Sequence, residues 1–256
     1  MSVLSEIVEN VRCRVEREKK KNPKTRVEHS GARSLRKSIE DNSSGASVIA
    51  ELKRASPSAG EIRSEFRVSE LAESVANGGA VGVSVLTEPE WFKGRKEFLT
   101  EVRDTVDLPV LRKDFIVDEY QLYQSAEMRA DAVLLIAEVL GKRLPEFVNK
   151  IRNLGMESLV EVRDKEQANL ACFAEPDLIG INNRDLKTME IDISRTEEVL
   201  EYLPDEFVSV SESGIRSRQD VERVLEAGAD AVLVGTAIME SEDVGSKVRN
   251  LAFGGS

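Results

Sequence analysis

Histidine, cysteine and aromatic residues are scarce in this chain of 256 residues. There is one histidine, His29, so a catalytic triad built on histidine or a metal site with several histidines has little support. The two cysteines, Cys13 and Cys172, form no metal-ligand pattern and predict no disulfide framework. Aromatic residues make up only 5% of the chain, so the core must be built from valine, isoleucine, leucine and alanine, as in parallel α/β folds.

Long apolar runs and an excess of positive charge are also missing. No apolar run is long enough to span a bilayer, and the first residues lack the core of a signal peptide, so we expect a soluble, cytoplasmic protein. The net charge of −11 argues against nucleic acid or an anionic membrane as a partner. The same charge, with arginine more frequent than lysine, fits either a protein that works in high salt or an ordinary acidic protein.

Eight short apolar runs alternate with amphipathic helical runs. They have the composition of strands buried on both faces, and they span residues 47–52, 81–86, 109–112, 132–136, 158–162, 178–181, 207–211 and 231–234. Strand followed by helix, repeated along the chain, predicts parallel strands and, at this length, a closed (β/α)8 TIM barrel of the α/β class. An open doubly wound sheet is the alternative. Its dinucleotide-binding form would need a Gly-x-Gly-x-x-Gly turn after the first strand, which the sequence lacks.

The first 44 residues do not fit this repeat. Residues 1–21 have the apolar spacing of a helix, and residues 22–44 are polar. We interpret residues 1–44 as an N-terminal helical extension that packs over one end of the barrel, and residues 45–256 as the catalytic barrel domain. A mobile tail is the alternative, although an apolar stripe on a helix needs a surface to cover.

Charged side chains lie at the ends of three predicted strands, where barrel enzymes carry their chemistry. Glu51 and Lys53 share one face at the end of the first strand, Lys113 follows the third strand, and Glu161 lies in the fifth. Each has a structural alternative: an ion pair, a surface lysine or a solvated acid. Burial tends to lower the pKa of a lysine such as Lys113 and would make it a proton donor near neutral pH, whereas neighbouring glutamates act in the opposite direction.

Polar residues and glycines follow the last three predicted strands. Asn182, after the sixth strand, offers donors and acceptors for a hydroxyl or a carboxylate, although asparagine is also a common turn residue. Gly214 and Gly235 follow the seventh and eighth strands, and each precedes a predicted helix. Such paired turns form the phosphate site of many barrel enzymes, here with the hydroxyls of Ser213 and Thr236, and two ordinary glycine turns are the alternative.

The motifs at these strand ends closely resemble the indole-3-glycerol-phosphate synthase family of tryptophan biosynthesis. The resemblance covers about residues 48–238, with a weaker match before them. No single motif is decisive, but together and in this order they are highly specific. They are IAELKRASPS at 49–58, Gly79-Ala80, SVLTE at 84–88, LRKDFIVD at 111–118, Gln121, LVEV at 159–162, GINNRDL at 180–186 and SESGI at 211–215.

The resemblance implies a ring closure with loss of CO2 and water. The substrate would be 1-(2-carboxyphenylamino)-1-deoxyribulose 5-phosphate and the product indole-3-glycerol phosphate, with no metal or organic cofactor. It implies that Lys113 is the general acid of ring closure and Glu161 the base or proton relay of the dehydration. Glu51 would orient the network and share in proton transfer. Lys53 would hold the substrate carboxylate and support the phosphate, and Asn182 would hold hydroxyls or the developing intermediate.

The resemblance also implies the remaining site residues. Phe92 and Phe115 would form the apolar walls for the anthranilate ring. The substrate-binding residues would be Ser56, Phe92, Phe115, Arg184, Glu212 and Ser213, and the phosphate-binding residues Gly214, Gly235 and Thr236. The expected partner is a small phosphosugar, with no nucleic acid and no membrane, and contact with other enzymes of the pathway stays open.

Two other functions are weighed against this one. A barrel like phosphoribosylanthranilate isomerase would rely on a cysteine and an aspartate, and neither Cys13 nor Cys172 follows a predicted strand. A phosphosugar-binding barrel without catalysis is disfavoured by the four charged residues at the strand ends. Two positions depart from the family pattern: Thr236 stands where serine is common, and Glu138 adds an acid near the end of the fourth strand.

Overall fold

The computed structural model describes residues 3–23, 27, 29, 31–185 and 187–255, and eight parallel strands in it close into a barrel. Each strand pairs with its neighbours in sequence, and the last strand pairs with the first, with Ser47 opposite Ala231. The predicted TIM barrel is therefore confirmed, and the open sheet is excluded. The strands are β1 Ser47–Leu52, β2 Gly82–Leu86, β3 Val110–Lys113, β4 Ala132–Ile136, β5 Glu157–Val162, β6 Leu178–Asn182, β7 Val208–Glu212 and β8 Ala231–Val234.

Helices surround the barrel and cover both of its ends. They are α1 Val3–Lys21, α2 Leu35–Glu40, α3 Val68–Asn77, α4 Lys96–Thr105, α5 Glu119–Glu127, α6 Ala137–Leu140, α7 Leu144–Asn153, α8 Lys165–Ala174, α9 Ser194–Leu200, α10 Arg218–Glu226, α11 Thr236–Met239 and α12 Val244–Phe253. Sequence patterning predicts one helix over residues 140–154, whereas the chain forms α6, a 3-10 turn over Gly141–Arg143 and α7. The helix is interrupted because Gly141 has a φ of 51°, which lies outside the right-handed helical region.

Two apolar layers stabilise the barrel. Val48 and Ala50 of β1 face the surrounding helices, whereas Ile49 faces the barrel interior with Leu111 and Leu159. This alternation follows from the two-residue period of a strand. It also explains why Glu51, which shares the face of Ile49, points into the barrel at the end of β1. None of the described helices is long and apolar enough to cross a membrane.

The N-terminal extension contacts both ends of the barrel. Helix α1 lies at the carboxyl ends of the strands, where Arg14 pairs with Glu88 just after β2. Helix α2 lies at the opposite end, where the Glu157 carboxylate at the start of β5 accepts hydrogen bonds from the backbone N–H groups of Leu35 and Arg36 at 2.7 and 3.0 Å. We expected the extension at a single barrel end, but its second helix closes the other end.

Candidate active site

A cavity of about 520 Å³ opens at the carboxyl ends of the strands. Strand direction produces this gathering, because parallel strands place all their carboxyl ends at the same edge of the barrel. The structure brings together in this cavity all fourteen residues that we expected in the site. They are Glu51, Lys53, Ser56, Phe92, Lys113, Phe115, Glu161, Asn182, Arg184, Glu212, Ser213, Gly214, Gly235 and Thr236. Their positions are thus observed, and their roles stay predictions.

Lys113 is surrounded by three carboxylates in the floor of the cavity. Its Nζ donates a hydrogen bond to Oε2 of Glu212 at the end of β7. It lies 3.8 Å from Oε2 of Glu161 and 3.9 Å from Oε2 of Glu51. The second lysine, Lys53, places its Nζ 2.7 Å from Oε1 of Glu51. The cluster therefore contains two lysine side chains and three buried carboxyl groups.

This arrangement raises the pKa of Lys113. Burial acts to lower the pKa of the ammonium group, but the three carboxylates around it outweigh burial. The sequence left open whether burial or the neighbouring glutamates would decide the pKa of Lys113, and in the structure the glutamates decide it. Lys113 is a cation at neutral pH, held by carboxylates that come from three different strands.

The pKa values of Glu212 and Glu51 shift in opposite directions. Burial raises the pKa of Glu212; Lys113 lowers it, the two other carboxylates raise it, and it reaches about 7. Burial also acts to raise the pKa of Glu51, but Lys53 and Lys113 outweigh burial and lower it. Glu212 thus binds a proton more readily than an ordinary carboxylate, chiefly because it is buried.

A buried polar network fixes the end of β3 on both sides of Lys113. The guanidinium of Arg112, 1% exposed, lies 2.9 Å from Oδ2 of Asp114 and donates to the backbone carbonyl of Gln121 at 2.7 Å. Thr87 donates to the same Asp114 oxygen at 2.7 Å. Arg112 and Asp114 were seen in the sequence only as part of a motif, because their partners Thr87 and Gln121 come from other elements of the fold.

Helix α1 forms one wall of the cavity through Val3, Leu4 and Ile7. Further along the helix, Arg14 lies 2.8 Å from Oε1 of Glu88 and 3.7 Å from Oδ1 of Asp114. The apolar stripe of the helix predicted packing on the barrel. Its contact with the site could not be predicted, because it depends on residues that lie far away in the sequence.

The apolar wall of the cavity is formed by Phe92 and Phe115. Their ring centroids are 6.1 Å apart and the rings are tilted by 38°. Glu88 fixes the loop that carries Phe92, because its Oε2 accepts hydrogen bonds from the backbone N–H groups of Trp91 at 2.7 Å and Phe92 at 3.2 Å. An aromatic ring of the substrate can pack against this surface.

The two asparagines after β6 differ in their surroundings. Asn182 lines the cavity, and its Oδ1 accepts a hydrogen bond from the backbone N–H of Arg184 at 2.9 Å. Asn183 is fully buried and points away from the cavity, with hydrogen bonds to Ser211 at 3.1 Å and Thr196 at 2.8 Å. Asn182 is thus available to a ligand through its amide nitrogen, whereas Asn183 is structural.

The turns after β7 and β8 form the far side of the cavity. Ser213 and Gly214 both have positive φ, 67° and 86°, so two consecutive residues adopt the left-handed conformation. Gly235 comes directly before α11, which begins at Thr236. After β1, the neighbour of β8, Oγ of Ser56 accepts the backbone N–H of Ala59 at 3.2 Å, within a hairpin of Ala55–Ser56 and Gly60–Glu61.

Comparison with known proteins decides the family. The family model for indole-3-glycerol phosphate synthase matches residues 4–251. The chain belongs to the indole-3-glycerol phosphate synthase family. It is 44% identical to the indole-3-glycerol phosphate synthase of Methanopyrus kandleri over 256 residues, covering 98% of each chain. It is 38% identical to the one from Ruminiclostridium cellulolyticum, covering 97% of this chain and 98% of that protein.

Solved structures share the fold at lower identity. A 3-hexulose-6-phosphate synthase superposes with a TM-score of 0.65 at 15% identity, covering 80% of this chain and 97% of that structure. A thiamine phosphate pyrophosphorylase from Pyrococcus furiosus superposes with a TM-score of 0.64 at 18% identity, covering 85% and 96%. These matches confirm the barrel.

Glu138, which departs from the family pattern, is not among the residues that line the cavity. Its carboxylate pairs instead with Lys187, with 2.8 Å between Oε1 and Nζ.

Proposed function

We propose that this chain is a carboxy-lyase that closes the indole ring of indole-3-glycerol phosphate. The substrate is 1-(2-carboxyphenylamino)-1-deoxyribulose 5-phosphate, and the other products are CO2 and water. The observation that supports this best is a buried lysine cation, Lys113, surrounded by three carboxylates beneath an apolar wall. A site of this kind can deliver a proton and also receive one within a single cavity.

The cavity offers separate places for the two ends of the substrate. The aromatic ring packs against Phe92 and Phe115. The phosphate binds to the backbone N–H groups and hydroxyls of Ser213, Gly214, Gly235 and Thr236. Lys53 holds the substrate carboxylate and adds positive charge near the phosphate. Binding at both ends brings the ketone carbon against the aromatic ring, which converts ring closure into an oriented reaction within one bound molecule.

The charge cluster suits the proton transfers. Lys113 is cationic at neutral pH and donates to the ketone oxygen as that oxygen gains negative charge. Glu212, with a pKa of about 7, is close enough to return a proton to Lys113. Glu161 then takes the proton that leaves during dehydration, with Glu51 as the alternative acceptor. Asn182 holds the substrate hydroxyls with its amide nitrogen.

Loss of CO2 is favoured by the apolar part of the cavity. Phe92, Phe115, Leu134 and Ile136 line the region beside the charge cluster. A carboxylate placed against such a surface loses hydration that it would keep in water, and this loss favours its departure as neutral CO2.

The decisive test is the appearance of indole fluorescence when the purified protein meets the substrate. Fluorescence that grows in proportion to enzyme concentration is expected, and its absence from folded protein would reject the proposal.

An isomerase that uses a cysteine is disfavoured, because Cys13 and Cys172 are not among the residues that line the cavity. A cytoplasmic location and the lack of a nucleic-acid partner belong to the same proposal. The first is supported by the biosynthetic family, and the second by the net charge of −11.

A further inference from the structure

Gly180 lies on the inner face of β6, beside the charge cluster. It is opposite Val210 of β7 and Glu161 of β5 in the strand register. A Cβ atom built on Gly180 would overlap Oε1 of Glu212 and would lie 2.7 Å from Cδ2 of Leu159. The position that a side chain would take is therefore filled by a carboxylate oxygen.

The backbone does not require glycine at this position. Gly180 is absent from the residues with positive φ and adopts an ordinary strand conformation that any amino acid can adopt. Glycine inside a strand costs roughly 0.5–1 kcal/mol of folding free energy relative to alanine. Glycine is required here because the Glu212 carboxylate occupies the space that a side chain on residue 180 would take.

The Glu212 carboxylate is held between Gly180 and Lys113. Its Oε2 accepts the hydrogen bond from Lys113, and its Oε1 is buried without a hydrogen-bond partner in the described part of the chain. No second polar contact there keeps Oε1 in place, so its position depends on packing. A methyl group on residue 180 would take that position and push the carboxylate away from Lys113.

The same relationship recurs at Gly235. A Cβ atom there would overlap Oε1 of Glu51 and would lie 3.0 Å from Nζ of Lys53. Its φ of −120° lies outside the left-handed range that favours glycine. Two carboxylates of the cluster thus each pack against a glycine from the neighbouring strand: Glu212 against Gly180 in β6, and Glu51 against Gly235 just after β8. By contrast, a Cβ on Gly82 of β2 would approach Cδ1 of Leu35, 2.5 Å away at the opposite end of the barrel.

We propose that Gly180 is a positioning residue whose missing side chain provides the space that holds the Glu212 carboxylate against Lys113. Both obstructing atoms, Oε1 of Glu212 and Cδ2 of Leu159, are ends of flexible side chains, so the protein accommodates alanine by moving these side chains, Glu212 first, rather than by unfolding. The catalytic consequence rests on the proposed function, in which Lys113 is the acid. The geometric consequence does not.

The test measures the pKa of Lys113 through its reaction with acetic anhydride, which acetylates only the neutral amine. The acetylated peptide is quantified by mass spectrometry from about pH 8 to about pH 11, and each unit by which the pKa falls raises the neutral fraction about tenfold. Glu212→Gln keeps the size of the side chain and removes its charge, so this variant shows the effect of a change in pKa without a change in access. The exposed Lys142 calibrates the reagent.

Gly180→Ala is expected to raise acetylation of Lys113 at least tenfold at fixed pH. Glu212→Gln is expected to raise it to the same extent. Gly82→Ala, which places an alanine on the inner face of another strand, is expected to leave the acetylation of Lys113 unchanged. Glu212→Asp added to Gly180→Ala shortens the acid and is expected to restore part of the slow acetylation.

A Gly180→Ala protein that acetylates like wild type overturns the proposal, whatever its activity. So does a Gly180→Ala protein that is unfolded by circular dichroism and is not rescued by Glu212→Asp, because the conflict would then lie with Leu159 or the backbone. If acetylation changes as expected while kcat stays at the wild-type value, the positioning stands. The proposed acid role of Lys113 then fails.

Discussion

Arg14 of helix α1 forms an ion pair with Glu88 across 74 residues of sequence, with 2.8 Å between Nη1 and Oε1. Glu88 is almost fully buried and also accepts the backbone N–H groups of the loop that bears Phe92. The N-terminal helix is therefore fastened to the same carboxylate that shapes the apolar wall of the cavity. Folding of the extension and shaping of the site are linked through one side chain.

Arg14→Ala is expected to destabilise the fold by about 2 kcal/mol, because it leaves the buried Glu88 carboxylate without its cation. KM is expected to rise several-fold as the loop of Phe92 loosens. Arg12→Ala is the matched control, since Arg12 is exposed and lies 3.9 Å from Glu9. Thermal melts and steady-state kinetics on both variants check this. Equal effects of the two substitutions would contradict the linkage.

Lys113→Ala is expected to lower kcat by ~100- to ~10,000-fold, which is about 3–5 kcal/mol of barrier, with a smaller effect on substrate binding. Glu161→Gln is expected to lower kcat as well, and the double variant to be far from additive because both groups serve one chain of proton transfer. Steady-state kinetics on protein that is folded by circular dichroism check this. A Lys113→Ala enzyme within about threefold of wild type, only ~0.7 kcal/mol, would transfer the acid role to Lys53.

Lys53→Ala is expected to affect KM more than kcat. Lys53 pairs with Glu51 at the rim of the cluster and faces the turn of Gly235, so it can reach substrate anions. Lys53→Arg keeps the charge and is expected to retain part of the affinity. If kcat falls while KM stays unchanged, Lys53 takes part in the chemical step instead. Substitution of Gly235 is a poorer probe of the phosphate site, because any side chain there also displaces Glu51.

The stability of the protein is expected to fall as pH rises from about 4.5 to about 7, through the contribution of Glu212. Over this range the folded protein keeps on Glu212 a proton that the unfolded chain has released, so rising pH favours the unfolded chain. The effect amounts to about 3 kcal/mol and is complete above the folded pKa. Urea denaturation of wild type and Glu212→Gln at both ends of the range measures it. Identical pH dependence in the two proteins would contradict it.

If the protein works in high salt, its melting temperature is expected to rise from low to molar KCl. A net charge of −11 repels itself, and the screening length shortens from ~10 Å at ~0.1 M to ~3 Å at ~1 M salt. The melting temperature of an ordinary acidic protein with many surface ion pairs is expected to rise little, because salt screens those pairs as well. Thermal melts across a KCl series distinguish the two. A flat or falling melting temperature would reject adaptation to salt.

Much of the barrel could be predicted because its strands carry their own signal. The observed ends of β1, β4 and β8 match the predicted residues, since continuous apolar runs mark strands buried on both faces. The positions of Glu51 and Lys113 followed from the two-residue period of those strands. The pKa of Lys113 could not be predicted in the same way, because it depends on carboxylates that three other strands bring to one place.

Two features of the site had no sequence signal that reasoning on one chain could use. Gly180 is one glycine among sixteen, and only the position of Glu212 shows why it has no side chain. Arg14 is an ordinary charged residue on a helix until the fold brings Glu88 to it. Helix α2 was missed because it is six residues long and depends on the Glu157 carboxylate, more than a hundred residues away in sequence, to satisfy its first N–H groups.

The two ends of the described chain emerge on opposite sides of the molecule, and this decides where it can be joined to other proteins. Val3 lines the cavity, whereas the ring of Phe253 packs close to Gly45 and Gly79, which precede β1 and β2. A domain or affinity tag fused ahead of Val3 would stand beside the entrance that the substrate must use. The same addition after α12 would leave that entrance clear, so fusions intended to keep the enzyme active belong at the carboxyl terminus.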